Sequence, residues 1–225
     1  MFKKYLILVL MLGGVGFSAT AQKTVYTTTG GEWIFSEASV SMANGKEASS
    51  ILRFSPVFNF QTQVHRDFNN STGLMTGIAL RNVGFIYDDP NNPGYRYKAR
   101  TYNIGIPIAL KFGKMDGKYF FFGYEIEFPI NYKEKQFKDG DKQYVRDYWF
   151  SSRVPTIYNT LFAGVQMQEG VQLKFKYYAT PFFDKTYQWT DASGATTPYP
   201  NGNVFYFSLS FQILKGTSFV YKHKE

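Results

Sequence analysis

The stretch TYNIGIPIALKFGKMDGKYFFFGYEIEFPINY, residues 101–132, decides the fold because apolar and polar or small side chains alternate through two consecutive segments. Every second residue of Tyr102–Phe112 is apolar, and Phe120–Tyr132 repeats the pattern. Gly113-Lys114-Met115-Asp116-Gly117-Lys118 lies between them and reads as a tight turn. A period of two is typical of β-strands with one apolar face. The stretch therefore predicts a β-hairpin.

The same period extends along the chain and predicts eight strands, with no helical segment of useful length. In the third of these strands the apolar face changes sides near Asn82, which predicts a β-bulge. The eight strands lie near residues 33–42, 51–64, 73–87, 96–113, 119–133, 157–168, 170–183 and 203–214.

The connections between the predicted strands differ in length. Residues 113–118 and 168–170 are short turns, whereas residues 134–156 and 184–202 are long loops. Short turns at one end and long loops at the other are typical of outer-membrane barrels, whose turns lie in the periplasm. An Asp-Gly turn signal within residues 138–142 predicts a hairpin that protrudes beyond the bilayer.

The N-terminus indicates export from the cytoplasm. Two lysines precede a short apolar core, and Ala-Thr-Ala at residues 19–21 is a small-x-small cleavage signal. We expect residues 1–21 to be a signal peptide and residues 22–225 to form a single outer-membrane β-barrel domain.

The composition excludes several classes of site. The 225 residues include no cysteine and two histidines, so thiolate chemistry and multi-histidine metal sites are excluded. We expect no metal, no cofactor and no catalytic residues. The formal charge is +8, but the basic residues are scattered between aromatics. We therefore expect no nucleic-acid partner.

The orientation of the two faces decides between a membrane barrel and a soluble one. The apolar faces are long enough to cross a bilayer, and Tyr102, Phe112, Phe120 and Tyr132 lie at their ends, as aromatics do at bilayer interfaces. The opposite face carries charges of both signs, which are stable inside a barrel only when paired. We expect a lumen charge network formed by Arg53, Arg81, Lys111, Glu125, Glu127, Lys174 and Lys176.

These features predict an all-β fold, an eight-stranded antiparallel up-and-down transmembrane β-barrel in the cell outer membrane. Closure satisfies every backbone group that an open sheet edge would expose to lipid. Outer-membrane lipid is then one partner of the chain. The alternative is a soluble periplasmic lipid-binding β-barrel, whose apolar face would point inward.

The segment Tyr102–Gly113 resembles a signature of the small outer-membrane β-barrel proteins of the Bacteroidota, the PorT-like or outer membrane protein beta-barrel family. The features shared are a tyrosine, an Ile-Pro pair at residues 106–107 and a Leu-Lys-aromatic ending, followed by Gly123-Tyr124-Glu125 in the next strand. Gly105 stands where that family usually has a bulkier or acidic residue. The resemblance implies an outer-membrane location and, through one family member, an association with secretion.

Three groups of residues have side chains of the kinds that carry out catalysis or bind metal ions. His65 falls in a predicted periplasmic turn and His223 in the C-terminal tail, and we expect neither to be catalytic. Glu125 and Glu127 have the spacing of an acid–base pair, but we favour an ion-pair network with Lys111, Lys174 or Arg81. The string Asp88-Asp89-Pro90-Asn91-Asn92 has oxygen ligands for calcium, but such strings are common turn chemistry.

The first functional hypothesis is therefore a non-enzymatic barrel that binds a protein, a surface polysaccharide or a neighbouring assembly through its extracellular loops. A narrow channel for ions or small solutes is the second. The candidate contact residues are the loop aromatics Tyr148, Trp149, Phe150 and Trp189.

Overall fold

A computed structural model describes residues 23–167, 170–190, 196–216 and 219–221, and nearly all of them lie in antiparallel β-strands. The expected signal peptide, residues 1–21, lies outside the described residues, as does His223. Within the described part of the chain, no helix is long and apolar enough to cross a membrane.

Fourteen strands are present among the described residues, and most of them belong to one sheet. Their bounds are β1 Lys23–Ser41, β2 Glu47–Ile51, β3 Arg53–Ser55, β4 Phe60–Asp67, β5 Thr72–Asp88, β6 Tyr95–Gly113, β7 Tyr119–Lys138, β8 Asp141–Trp149, β9 Tyr158–Gln166, β10 Val171–Tyr178, β11 Gln188–Thr190, β12 Thr196–Pro198, β13 Asn201–Lys215 and β14 Phe219–Tyr221.

The main sheet closes into a ring of eight barrel strands. The order around the ring is β1, then β2, β3 and β4 as one interrupted strand, then β5, β6, β7, β9, β10 and β13. The last strand pairs with the first, from Thr28 opposite Lys215 to Ser41 opposite Asn201. Every neighbouring pair is antiparallel, so the predicted eight-stranded up-and-down barrel is confirmed.

One predicted strand and one predicted loop differ from the structure. The predicted strand 51–64 is three pieces, because Leu52 and residues 56–59 leave the ladder. Phe58, in the longer break, has a positive φ of 60°. The predicted loop 134–156 is largely a hairpin of β7 and β8. Its turn residues Asp139 and Gly140 both have positive φ, as the Asp-Gly signal predicted.

β5 pairs with β6 without a β-bulge, whereas β7 has one at Ile130. In β5 the odd-numbered residues face the lumen without interruption on both sides of Asn82, so the predicted bulge there is wrong. The apolar side chains change sides in β5 because the lumen itself becomes apolar toward the long-loop end. In β7, Ile130 is an extra residue between the paired positions Pro129 and Asn131. The bulge turns Tyr132 into the lumen, where it is fully buried, so its predicted place on the lipid face is wrong.

The apolar face of the barrel points outward. Ile106, Phe122 and Phe207 are 53%, 54% and 62% exposed, whereas Glu125 and Lys174 are 1% and 5% exposed. Apolar side chains on the outside and charges inside are the arrangement of a barrel in a bilayer. The soluble lipid-binding barrel requires the opposite arrangement and is wrong.

Candidate functional site

Six charged side chains meet in the middle of the lumen and form one ion-pair network. Three are cations and three are carboxylates, so the network is neutral. Its members are Glu32 of β1, Arg81 of β5, Glu125 and Glu127 of β7, and Lys174 and Lys176 of β10.

The contacts join strands on different sides of the barrel. Arg81 Nε lies 3.1 Å from Glu125 Oε1, and its guanidinium also bonds Glu32. Lys174 Nζ lies 2.8 Å from the other oxygen of Glu32. Lys176 bonds both glutamates of β7, at 2.8 Å from Glu125 Oε2. Pairing of this kind offsets much of the cost of removing the charges from water.

Gly105 explains how the network fits inside so narrow a barrel. It faces the lumen on β6, opposite Glu127 in the ladder. A Cβ atom at Gly105 would lie 2.0 Å from Glu125 Oε1. The residue that departs from the resembled family pattern therefore makes room for a carboxylate of this chain.

Five of the seven lumen charges expected from the sequence lie in this network, and the other two lie elsewhere. Lys111 forms a separate pair with Asp67 at 2.5 Å, toward the short-turn end. Arg53 donates to the carbonyl of Asn82 at 3.2 Å and to its side-chain oxygen at 2.7 Å. Arg53 thus fills a gap in the ladder of the wall. The missed member, Glu32, lies one residue before the predicted start of the first strand.

His65 lies in β4 and not in a turn. Its ring is fully buried in the lumen, stacked on Tyr26 at 4.6 Å between ring centroids. Nε2 of His65 is 2.9 Å from the hydroxyl of Thr28. The predicted turn position is wrong because β4 continues to Asp67.

A cluster of buried aromatic and aliphatic side chains fills the lumen above the network, toward the long-loop end. Edge-to-face contacts such as Phe85 with Phe182, 5.0 Å between centroids, hold the rings together. The carbonyl of Phe182 accepts a hydrogen bond from the Tyr158 hydroxyl at 2.7 Å. We call this cluster the aromatic cap. Its rings are Phe85, Tyr87, Tyr132, Tyr158, Tyr178, Phe182, Phe183 and Tyr206.

A cleft of about 360 Å³ opens above the aromatic cap, and we call it the tyrosine cleft. Four tyrosines and several polar groups line it. Tyr87 and Tyr97 stack at 5.2 Å with their planes 13° apart, on adjacent strands. The lining includes Met42, Tyr87, Asp89, Asn92, Tyr97, Glu134, Gln136, Tyr144, Arg146, Thr197, Pro198, Tyr199 and Pro200.

Glu134 organises the floor of the tyrosine cleft. Its carboxylate accepts hydrogen bonds from the hydroxyls of Tyr132 at 2.5 Å and Tyr144 at 2.8 Å, and from Arg146 at 3.1 Å. Burial and the neighbouring Glu134 charge raise the pKa of Tyr144 well above its usual range. The protonated phenol donates its hydrogen bond to Glu134. The Tyr97 hydroxyl accepts from Gln136 at 2.7 Å, which fixes a second ring of the cleft.

Of the four aromatics predicted for partner contact, Tyr148, Trp149 and Phe150 lie at the end of β8 or directly after it. Trp149 is the last residue of β8 and Phe150 follows it, and they are 69% and 77% exposed. The Phe150 amide donates to the carbonyl of Ile130, which places both residues just above the apolar belt. Tyr148 lies under the guanidinium of Arg153 at 4.4 Å. Trp189 belongs to β11 and pairs with Thr197, but its side chain lies outside the described part of the chain.

The Asp88–Asn92 string is a turn in the structure. Asp89 accepts from the Asn91 amide at 2.8 Å and from the Asn92 side chain at 2.9 Å, which is ordinary Asx-turn chemistry. Among the described residues, no group of three histidine or acidic side chains is placed to hold a metal ion.

Several solved β-barrel structures are similar to this chain. Ail, the attachment invasion locus protein of Yersinia pestis, solved with the heparin analogue sucrose octasulfate, is 12% identical with a TM-score of 0.40, over 88% of this chain and 99% of that one. The outer membrane protein OprG from Pseudomonas aeruginosa is 11% identical with a TM-score of 0.39, over 89% and 97%. Neisserial surface protein A is 11% identical with a TM-score of 0.37, over 85% and 97%.

Likenesses of this size carry no information about ligand or role. No protein-family profile matches the sequence, and no curated protein matches it. The ring of eight antiparallel strands, the outward apolar belt and the charged lumen make the chain a small β-barrel of the outer-membrane type.

Proposed function

We propose that the protein is a non-enzymatic outer-membrane barrel that binds a partner at its extracellular face, through the tyrosine cleft. The single observation that carries the proposal is the filled lumen. The ion-pair network and the aromatic cap occupy it one above the other. A barrel of eight strands has no room for a channel once its side chains fill it. A partner outside the cell then meets the accessible polar and aromatic groups of the long-loop end.

A neutral surface polysaccharide fits the tyrosine cleft. The side chains of Tyr97, Tyr144 and Tyr199 are partly exposed and offer aromatic faces with polar edges. Gln136 and Asn92 add hydrogen-bonding groups at the same place. A few convergent polar groups on an aromatic lining are the usual composition of a small-ligand site. Trp149 and Phe150 are proposed as additional contacts beside it, for a protein or a neighbouring assembly.

The test measures binding of soluble neutral oligosaccharides to the refolded barrel in detergent by calorimetry. Tyr97→Ala removes a wall of the cleft, and we expect binding to weaken about tenfold, the ordinary cost of a lost aromatic contact. Tyr95→Ala is the matched control because Tyr95 is in the same strand but outside the cleft. Equal loss in both variants, or no binding by the wild type, would reject the saccharide assignment.

The narrow channel remains a second candidate to be tested by planar-bilayer conductance. We expect no steady current, because both the network and the aromatic cap would have to separate. A stable single-channel current from the wild type would reverse this preference. The finer relationship to the PorT-like proteins of the Bacteroidota, and with it a link to secretion, is likewise proposed on the Tyr102–Gly113 hairpin alone.

A further inference from the structure

Four basic side chains lie on the outer surface of β6 and β7, just beyond the apolar belt. Lys98 and Arg100 continue the outward-facing positions of β6 above Tyr102. The bulge at Ile130 turns the odd-numbered residues of β7 outward, which brings Lys133 and Lys135 to the same surface. We call Lys98, Arg100, Lys133 and Lys135 the basic patch.

The four basic side chains form two opposed pairs between β6 and β7. Lys98 lies opposite Lys135 in the ladder, and Arg100 lies opposite Lys133. Side chains at opposed positions of an antiparallel pair are neighbours, and like charges there destabilise the sheet. Two such pairs in succession oppose folding unless another charge balances them.

The described residues offer little compensation. The carboxylate bonded to the basic patch is Asp147, at 2.6 Å from Lys133 Nζ. One carboxylate against four cations leaves a net charge of +3 on this part of the surface. Burial, together with the positive charges of Arg53, Arg100 and Lys135, lowers the pKa of Lys98 below its usual range.

Apolar groups adjoin the basic patch on the side of the bilayer. The guanidinium of Arg100 lies 5.3 Å from the centre of the Tyr102 ring. Phe58 contacts the same ring edge to face at 5.9 Å. Phe58 and its neighbour Val57 are about half exposed and project from the interrupted second barrel strand. An acyl chain would meet these side chains while an anionic headgroup met the cations above.

We propose that the basic patch binds the phosphate groups of a phosphorylated glycolipid in the outer leaflet, with Phe58 and Val57 against its acyl chains. The inference rests on the outer-membrane orientation proposed above. Lysine and arginine side chains at this depth attract anionic headgroups. Arginine adds paired hydrogen bonds to phosphate oxygens.

The test compares nanodiscs of phosphatidylcholine with nanodiscs that also contain diphosphorylated lipid A. Native mass spectrometry measures lipid A retention, and urea titration measures stability. The variant K98Q/K135Q removes one opposed pair, and K46Q/K142Q is the control because both lysines are exposed at the long-loop end. At about fivefold for each basic residue, we expect retention to fall about 25-fold in the first variant and to be unchanged in the control.

A second readout separates lipid binding from a structural role. In phosphatidylcholine alone, K98Q/K135Q should be at least as stable as the wild type, because a like-charge pair is gone. With lipid A, the wild type should gain stability and the variant should not. Loss of stability in both lipids would overturn the inference, as would equal retention of lipid A.

Two further arms complete the experiment. Lipid A stripped of its phosphates should be retained no better by the wild type than by the variant, and equal retention of both lipid A forms by the wild type would overturn the inference. Free inorganic phosphate should give no comparable stabilisation; if it does, the ligand is not a lipid.

The same samples are run on a gel before and after boiling. A heat-dependent shift without lipid A preference rejects the inference alone, whereas the absence of any shift rejects the barrel.

Discussion

Replacing Arg81 tests whether the ion-pair network holds the barrel together. The guanidinium bonds Glu32 and Glu125 and lies 3.5 Å from Glu127, and all four side chains are almost fully buried. Arg81→Gln leaves three carboxylates with two lysines, a net charge of −1 in the lumen. Breaking a buried pair by removing one partner costs about 3–5 kcal/mol. We expect the free energy of unfolding to fall by that amount.

The double variant R81Q/E125Q restores neutrality and is the control for the single change. It leaves Lys174 and Lys176 with Glu32 and Glu127, two cations and two carboxylates. We expect it to recover part of the loss, with a coupling energy of about 1–3 kcal/mol between the two sites. Urea unfolding in lipid vesicles, followed by heat-dependent gel mobility, measures all variants. A loss below about 1 kcal/mol for R81Q, or strict additivity in the double variant, would refute the reasoning.

Further predictions follow from the separate pair and from the lipid face. Lys111→Met should destabilise the barrel by about 3–5 kcal/mol because it leaves Asp67 without its 2.5 Å partner; K111M/D67N should restore most of this in the same urea assay. Ile106→Lys places a charge in the middle of the lipid face and should lower the free energy of unfolding by about 2–4 kcal/mol. Phe120→Lys places a charge near the edge of the belt. Compared with Phe120→Ala, which removes only the ring, it should lower the free energy of unfolding by only about 0–1 kcal/mol more. Equal charge costs at the two depths would contradict the placement of the bilayer.

Much of the barrel could be predicted because lipid imposes a strict period on each strand. The ranges expected for β6 and β13, residues 96–113 and 203–214, differ from the observed bounds by one or two residues. In both strands the outward side chains within the bilayer belt are uniformly apolar, since each of them meets hydrocarbon. Such strands carry their orientation and register in the sequence.

The parts that were not predictable are those where the lumen changes character. Phe85 is an apolar residue that points into the lumen. The sequence pattern of β5 therefore indicates that the apolar face changes sides, although the pairing with β6 continues without a register shift. At Tyr132 a real bulge is missed, because one extra residue at Ile130 does not alter the pattern of an apolar run. Where both faces of a strand are apolar, the sequence does not show which alternate residues point into the lumen.

The candidate site shows the same limit. Paired charges such as Glu125 and Lys176 could be assigned to the lumen from alternation alone, but their partners depend on the stagger between strands. Arg53 is at a strand position that points toward the lumen. Its guanidinium nevertheless closes a gap in the wall at Asn82. That gap arises from the interruption of the second barrel strand, for which the only sequence signals are Pro56 and a short apolar run.

Site-directed spin labelling tests the orientation of the wall most directly. The chain contains no cysteine, so single cysteines at Ile106, Phe122 and Phe207 can each be labelled without background. With the barrel in lipid vesicles, all three labels should be accessible to oxygen dissolved in the bilayer and shielded from a water-soluble nickel complex. Labels that instead collide with the nickel complex, or that meet neither reagent because they are packed inside the protein, would contradict the account.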